Sequence, residues 1–306
     1  MIGSMIADTF IKPFQSPVFD SPENYDLDYE DVVFEARDGV RLSGWLIKGD
    51  NDKVIIQSHF GTQCSRSGYT PEGKGFLKGS DKDIRFLRQA KYLNEAGYSV
   101  LMYDFRNHGN SQEGILPWIT WGPTEALDVI AAVEFISTHH DYKNADIGLL
   151  SICMGQGASI AAFAEDGGLK NYPNIKTMIS VQPMDYECFV HAMGLPKFMV
   201  NSTTKAIEKR THMDFNKTSW RPLVKEVTVP TLVIQNRNDG YLDETFVNGV
   251  FNGLKVEKEM LWIDLPNMGN AVNNRFAAYD WLGDHPEPIL QWFGKYMMPL
   301  AGTDGD

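Results

Sequence analysis

Short apolar segments alternate with amphipathic segments along most of this chain. Apolar runs predict strands at 53–57, 98–103, 147–150, 176–181, 231–235 and 259–265. Helical spacing of apolar residues predicts helices at about 82–96, 123–137 and 286–296. Before them, runs at 32–36 and 40–47 flank Arg37-Asp38-Gly39, which predicts a hairpin with an Asp-Gly turn. Strands that alternate with helices after an opening hairpin indicate an α/β fold, in which helices cover both faces of a mostly parallel sheet.

Two segments depart from this alternation. Residues 1–28, rich in Pro, Phe, Ser and Asp, are expected to form an N-terminal arm over the domain. The strand pattern also stops at 185–229, which predicts a small cap inserted between a first core part (29–184) and a second (230–300). A pair of ordinary crossover helices is the alternative for 185–229.

Composition limits the classes of partner. The chain has 306 residues, is 43% hydrophobic and carries a formal net charge of -12, which argues against nucleic acid or an anionic membrane surface as partner. No apolar run reaches membrane-spanning length, and residues 1–20 lack the pattern of a signal peptide. Three scattered cysteines indicate reduced thiols in a cytoplasmic protein. We expect a small-molecule substrate and neither a metal nor another cofactor; the oligomeric state stays open.

The most informative segment is 147–157, where an apolar run ends in Ser-x-Cys-x-Gly. This is the pattern of a nucleophile elbow, a strand that turns sharply into a helix with one reactive side chain at the apex. Ser151 and Gly155 are the small residues that such close backbones require, and Cys153 occupies the apex. A helix N-terminus favours the thiolate form of a cysteine. The alternative is a buried cysteine that fills a strand end.

Other patterns occur in a fixed order around this elbow. They are the hairpin at 38–42, His59-Phe60-Gly61, the segment 104–111, and the strand 230–234 leading to Asn236-Arg237-Asn238-Asp239. Together they make the chain, from about residue 29 to 296, resemble the α/β-hydrolase superfamily. The cysteine at the elbow is similar to that of dienelactone hydrolases and some thioesterases, whereas most members have serine. The resemblance implies an α/β-hydrolase fold with a mostly parallel sheet and a short cap.

The resemblance also implies roles for individual residues. Asp239 corresponds to the acid that orients a catalytic histidine. The alternative is a solvated turn residue, because Asn-Asp-Gly is also a sequence that favours a turn. The backbone N–H groups of Phe60 and Met154 correspond to the oxyanion hole. His59 and His108 lie in motifs where a histidine usually shapes the oxyanion loop and a turn.

The position of the histidine is where the chain departs from the family. The last strand is followed by Pro266-Asn267-Met268-Gly269, after which the family usually has its catalytic histidine and this chain has Asn270. An asparagine amide cannot accept and return a proton near neutral pH. Either His285, displaced by an insertion at 270–282, serves as the base, or the site works without one. The alternative for His285 is a residue near the N-cap of the last helix.

Three functions remain open on these grounds. The first is a cysteine-dependent hydrolase of an ester, lactone or thioester, with Cys153 as nucleophile, Asp239 and His285 as its partners, and an acyl-enzyme on Cys153. The second is a non-hydrolytic enzyme on the same scaffold, such as an acyl transferase, lyase or cyclase of a biosynthetic pathway. The third is a ligand-binding protein with a relict site. Whether a titratable base lies near Cys153 separates them.

Overall fold

The computed structural model describes residues 2–12, 17–61, 63–73, 80–192, 194, 196–215 and 218–297. A central sheet has eight strands in the order β1-β2-β6-β3-β7-β8-β9-β10, and β4 pairs with β5 in a separate ribbon. The strands are β1 (Tyr29–Glu35), β2 (Arg41–Ile47), β3 (Asp50–Ser58), β4 (Gly68–Tyr69), β5 (Ile84–Arg85), β6 (Tyr98–Tyr103), β7 (Asp146–Ile152), β8 (Ile175–Val181), β9 (Thr231–Asn236) and β10 (Lys258–Ile263). The pairs β1–β2 and β2–β6 are antiparallel, and the remaining pairs of the large sheet are parallel.

Helices accompany these strands as the alternating pattern predicts. They are α1 (Ile2–Ile11), α2 (Leu87–Glu95), α3 (Glu125–Thr138), α4 (Met154–Ala164), α5 (Tyr186–Ala192), α6 (Lys197–Thr211), α7 (Glu244–Gly253), α8 (Ala271–Asp284) and α9 (Pro286–Tyr296). The predicted helix 82–96 begins later, at Leu87, because Ile84 and Arg85 pair with Gly68 and Tyr69. None of the helices in the described ranges is both long and apolar enough to cross a membrane.

The inner strands are buried on both faces, as parallel strands between helix layers must be. Val54, Ile55 and Ile56 of β3 have no solvent exposure, and every residue of β6 is buried. Because β3, β7 and β9 run parallel, their carboxyl ends meet at one edge of the sheet. The segments that follow these three strands therefore come together there, where open α/β sheets bind their ligands.

The 185–229 segment contains α5, α6 and a short 3-10 helix, Arg221–Glu226. Helix α1 packs against α6, and Asp8 forms an ion pair with Arg210 between them. The end of α1 is also tied to the core, since the Ile119 N–H donates to Ile11 O at 2.7 Å. The N-terminal residues predicted as an arm thus include a helix that lies against this segment.

Candidate active site

Cys153 stands at a sharp turn between β7 and α4. Its backbone has φ +52° and ψ -105°, an unfavourable combination for a residue with a side chain. The carbonyl of Cys153 accepts hydrogen bonds from the N–H groups of Gln156 (3.0 Å) and Gly157 (3.2 Å). A Cβ on Gly155 would lie 2.7 Å from the Ser58 carbonyl oxygen of β3, so glycine is required there. The local geometry is that of a nucleophile elbow with Cys153 at its apex.

Asp239 lies in the loop after β9, as the sequence predicts, but its partner is an arginine. The buried guanidinium of Arg275, on α8, forms an ion pair with the buried carboxylate of Asp239. Gln235 Nε2 donates to the same carboxylate at 3.0 Å, and the Tyr241 N–H donates to its other oxygen at 3.0 Å. Arg275 also donates to the carbonyl of Gln182. In this structure Asp239 therefore orients an arginine rather than a histidine.

Arg275 and Tyr279, one helical turn apart on α8, both face Cys153. Arg275 Nε donates to Tyr279 Oη at 2.7 Å. Burial by itself would lower the pKa of Arg275, but the Asp239 charge, Tyr279 and a hydrogen bond with Cys153 hold that pKa well above its usual range. Asp239, Arg275, Tyr279 and Cys153 thus form one continuous polar cluster, which we call the Cys153 cluster.

Tyr279 is the proton donor of this cluster. Burial raises its pKa well above 10; the charge of Arg275 opposes this shift, and the Cys153 charge and hydrogen bond add to it. Tyr279 therefore stays protonated at neutral pH, and its hydroxyl can donate to the Cys153 sulfur or to a group bound there. Neither Arg275 nor a protonated Tyr279 can remove a proton from water.

The predicted oxyanion residues lie beside the cluster. Met154 is the first residue of α4, and the Phe60 ring stacks on Tyr279 at 4.5 Å between centroids. Cys64 is also near: burial raises the pKa of its thiol, Asp104 raises it further, and the backbone N–H of Phe60 lowers it. The structure brings Phe60, Met154, Cys153 and Asp239 to one edge of the sheet. Their catalytic roles stay predictions.

His285 lies outside this cluster. It is exposed between α8 and α9, its ring stacks on Trp281 at 4.4 Å, and Nδ1 lies 2.9 Å from the Trp281 carbonyl oxygen. The segment interpreted as an insertion forms α8, and ten residues of helix place His285 about 15 Å along the axis from Arg275. The hypothesis that His285 replaces the missing histidine therefore finds no support in its position.

Asn270, where the family's histidine is expected, has a structural role. It is the N-cap of α8, and its Oδ1 accepts a hydrogen bond from the Asn273 N–H at 2.8 Å. An asparagine is among the best N-cap residues because its side chain satisfies a free N–H of the first helical turn. The replacement of histidine by asparagine thus coincides with the start of the helix that supplies Arg275 and Tyr279.

The two histidines of the family motifs are buried and neutral. Burial lowers the pKa of His59 well below 6.5, and the nearby His108 lowers it further. The His59 ring accepts a hydrogen bond at Nε2 from the Phe105 N–H (3.1 Å), and Nδ1 lies 2.6 Å from the Phe60 carbonyl oxygen. Its role is to hold the loop after β3 against the loop after β6.

Potential metal ligands occur elsewhere in the described residues. Donor atoms of His139, His140 and Asp141, just after α3, lie within 4.8 Å of one another. They precede β7 whereas Cys153 follows it, so about 23 Å of strand separates the two places. The sequence of the glycine-rich loop 62–80, with Arg66, Lys74 and Lys78, allows either a site for an anionic substrate group or a solvated loop. Arg66 is instead buried against Asp104, and Lys74 and Lys78 lie outside the described residues.

Sequence reasoning missed Arg275 and Tyr279, although a signal was present. Arg275 precedes Phe276-Ala277-Ala278, and Tyr279 follows at the spacing of one helical turn. A charged residue on the apolar face of a helix is rarely buried without a partner. The pattern would have predicted a buried ion pair but not its partner Asp239, 36 residues away.

Comparisons with known proteins support the architecture. No protein-family model matches the chain, and no curated protein matches it in sequence. Among solved structures, the Pyrococcus furiosus esterase Pf2001 is 22% identical, with a TM-score of 0.68 over 94% of this chain and 98% of that one. The α/β hydrolase GrgF from Penicillium sp. sh18 is 18% identical, with a TM-score of 0.59 over 89% of this chain and 99% of that one.

A third similar structure is the Pyrococcus horikoshii acylaminoacyl peptidase. It is 16% identical, with a TM-score of 0.58 over 91% of this chain and 43% of that one. Together with the sheet order, these likenesses confirm the predicted α/β-hydrolase fold. Sequence identities this low indicate a shared fold but not a shared reaction.

Proposed function

We propose that this chain is an enzyme that forms an acyl-thioester on Cys153 from an ester, lactone or thioester, and that it passes the acyl group to a nucleophile other than water. The observation that carries the proposal is the Cys153 cluster, in which the elbow cysteine meets Arg275 and Tyr279 and, among the side chains that the structure describes, no histidine. This corresponds to an acyl transferase or cyclase on a hydrolase scaffold.

The first step uses groups that already surround Cys153. The thiolate sulfur attacks the substrate carbonyl carbon, and the N–H groups of Met154 and Phe60 stabilise the oxygen that becomes negative. The thiol proton passes to solvent before the attack, and Arg275 provides a fixed positive charge beside the sulfur. The carbon–sulfur bond forms as the bond to the leaving group breaks, and an alkoxide leaving group takes its proton from Tyr279, which regains one from solvent.

The second step distinguishes transfer from hydrolysis. Water must lose a proton as it attacks a thioester, and the described groups around Cys153 offer no acceptor near neutral pH. Arg275 is cationic, Tyr279 is protonated, and the Asp239 carboxylate is already bound by Arg275, Gln235 and the Tyr241 N–H. A neutral amine, or a nucleophile within the acyl chain that is already deprotonated, does not need such an acceptor.

Hydrolysis is the second candidate. It is favoured by the similar solved structures, which are described as an esterase and an acylaminoacyl peptidase. In that case deacylation would proceed slowly, by water without a positioned base. A relict ligand-binding site is disfavoured, since Cys153 keeps the strained conformation of a nucleophile elbow.

The proposal is tested by trapping the acyl-enzyme. The protein is mixed with a p-nitrophenyl ester or an N-acetylcysteamine thioester, quenched in acid, and its intact mass and labelled peptide are determined. We expect one acyl group per chain on Cys153, no label in Cys153→Ala, and full label in the control variants Cys64→Ala and Cys188→Ala. Label that persists in Cys153→Ala, or turnover without any label on the native chain, would contradict the proposal.

A further inference from the structure

A cavity of about 690 Å³ lies between α5, α6 and the loop before α3. Its apolar lining comes from the buried residues Trp121, Tyr186, Val190 and Phe215. Cavities of this volume hold small organic molecules, and flat aromatic walls favour flat ligands. The lining does not include Cys153, Arg275 or Tyr279, so this cavity is separate from the Cys153 cluster.

Helix α6 turns a polar stripe towards this cavity. The stripe consists of Lys197, Asn201, Thr204, Lys205 and Glu208, which follow one another at the spacing of a single helix face. The opposite face is buried, and α6 packs there against α1. Lys197, Asn201 and Lys205 are exposed, so these side chains border both the cavity and bulk water.

The charges at the cavity leave two lysines available to a ligand. Asp185 and Glu187 both pair with Arg221, and Glu208 is the third carboxylate of the lining, three residues after Lys205. No carboxylate in the described part of the chain forms an ion pair with Lys197 or Lys205. These two ammonium groups stand eight residues apart on α6, about 12 Å along its axis, and the hydroxyl of Thr204 lies between them on the same face.

Two aromatic side chains link the Cys153 cluster to the cavity. The Tyr241 N–H donates to the Asp239 carboxylate at 3.0 Å, so Tyr241 lies beside this cluster. The ring of Phe189 stacks on Tyr241 at 5.9 Å and contacts Trp121 at 5.0 Å. Trp121 is part of the cavity lining. Contacts therefore run from the Cys153 cluster through Tyr241 and Phe189 to the lining of the cavity.

We propose that the cavity binds the distal end of the acyl substrate, and that this end is a flat aromatic group that carries a carboxylate. The aromatic lining would stack on the ring, and Lys197 and Lys205 would bind the anion. The link to Cys153 rests on the proposed function, whereas binding in the cavity can be measured without it. The predicted substrate is thus an aromatic acyl compound with a negative charge at the end remote from the reacting carbonyl.

Binding is tested with 2-naphthoate as the probe and Cys153→Ala as the background, so that no acylation takes place. Isothermal titration calorimetry should show one site per chain. Lys197→Gln with Lys205→Gln should weaken binding about tenfold, consistent with the loss of two partly screened charges. The control Lys209→Gln removes an exposed lysine of the same helix that does not line the cavity, and it should have no effect.

The neutral 2-naphthamide completes this experiment. It should bind Cys153→Ala with its native lysines and Cys153→Ala with the double lysine substitution equally well. Absence of 2-naphthoate binding, or equal affinity of these two proteins for 2-naphthoate, would overturn the proposal.

The link to the reacting cysteine is tested with two thioesters, 2-naphthoyl and 6-carboxy-2-naphthoyl N-acetylcysteamine. The carboxylated compound should acylate Cys153 about tenfold faster, and the double lysine variant should abolish this preference. Equal rates would overturn the assignment of the cavity to the distal end of the substrate. If 2-naphthoate binds as expected but no thioester labels Cys153, the proposed function fails and the ligand class of the cavity stands.

Discussion

The guanidinium of Arg275 forms a buried ion pair with the carboxylate of Asp239, across the edge of the sheet where Cys153 stands. In the hydrolases that this chain resembles, an acid at this place orients a histidine. Here the acid fixes an arginine, which carries a permanent charge and exchanges no proton. The acid and the nucleophile elbow are retained, and within the described ranges an arginine rather than a proton acceptor links them.

This ion pair should contribute strongly to stability. Arg275→Met leaves the Asp239 carboxylate buried without its cation and should lower the free energy of unfolding by about 3–5 kcal/mol. The control Arg88→Met removes a partly exposed arginine paired with Asp280 and Asp284, and it should cost about 1 kcal/mol or less. Urea unfolding of both variants measures the difference.

A second variant separates the charge from the packing around it. Arg275→Met combined with Asp239→Leu removes both charges, so it should be more stable than Arg275→Met alone. Equal losses for Arg275→Met and Arg88→Met would show that the buried pair is not the strong contact described above.

The sequence predicts the local parts of this site well and its long-range pairing poorly. The elbow and the loop of Asp239 each depend on a strand and the turn directly after it, so a few adjacent residues are enough to recognise them. The pairing of Asp239 with Arg275 depends on how α8 lies over the sheet edge, which no local pattern specifies. The segment that becomes α8 resembles an insertion because it interrupts a familiar order of motifs.

The cavity was missed for a similar reason. The polar stripe of α6 looks like a solvated helix face in the sequence, and only the placement of α6 beside α5 and the loop before α3 makes it part of a cavity lining. By contrast, β6 and α9 have the predicted bounds, 98–103 and 286–296, since their apolar patterns and flanking residues are local.

Tyr279 should act as a proton donor in acylation. Tyr279→Phe keeps the ring that stacks on Phe60 but removes the hydroxyl, so acylation of Cys153 should slow by about 10²-fold for an alkyl ester. A p-nitrophenyl ester, whose leaving group needs no proton, should be affected far less. The control Tyr92→Phe removes another buried hydroxyl, bonded to the Leu282 carbonyl, and should change neither rate. Equal slowing of both esters would contradict this role.

His285 should be dispensable. His285→Ala removes an exposed ring that stacks on Trp281, so it should change the rate of Cys153 acylation less than twofold and stability by about 0.5 kcal/mol or less. The pH dependence of acylation should likewise be the same in the variant and the native chain. If the variant loses activity while circular dichroism shows an intact fold, the displaced-histidine hypothesis is restored.

His59 should make the fold sensitive to acid. Burial keeps its pKa in the folded chain well below the unfolded value of about 6.5, so below that pH the unfolded chain binds the extra proton. Its contribution to stability is therefore complete above pH 6.5 and is lost as the pH falls. Between pH 7.5 and 5.5 the loss due to His59 should be about 1.4 kcal/mol.

Comparison of two variants isolates this effect from other titrating groups. In His59→Gln the drop in unfolding free energy between pH 7.5 and 5.5 should be smaller than in the native chain by that amount. The control His140→Gln, at an exposed site, should drop as the native chain does. Urea unfolding at the two pH values measures both, and an unchanged drop in His59→Gln would show that His59 takes up its proton in the folded chain.

The most direct test of the account is the fate of the acyl group on Cys153. The acyl-enzyme is prepared with an N-acetylcysteamine thioester and freed of excess reagent, and its loss is followed by intact mass in buffer alone and with a primary amine. We predict that acyl-Cys153 persists in buffer and is cleared at least tenfold faster by millimolar amine, with the amide as product. Loss in buffer as fast as with amine, with the free acid as the only product, would show that the site activates water and would contradict transfer to a nucleophile other than water.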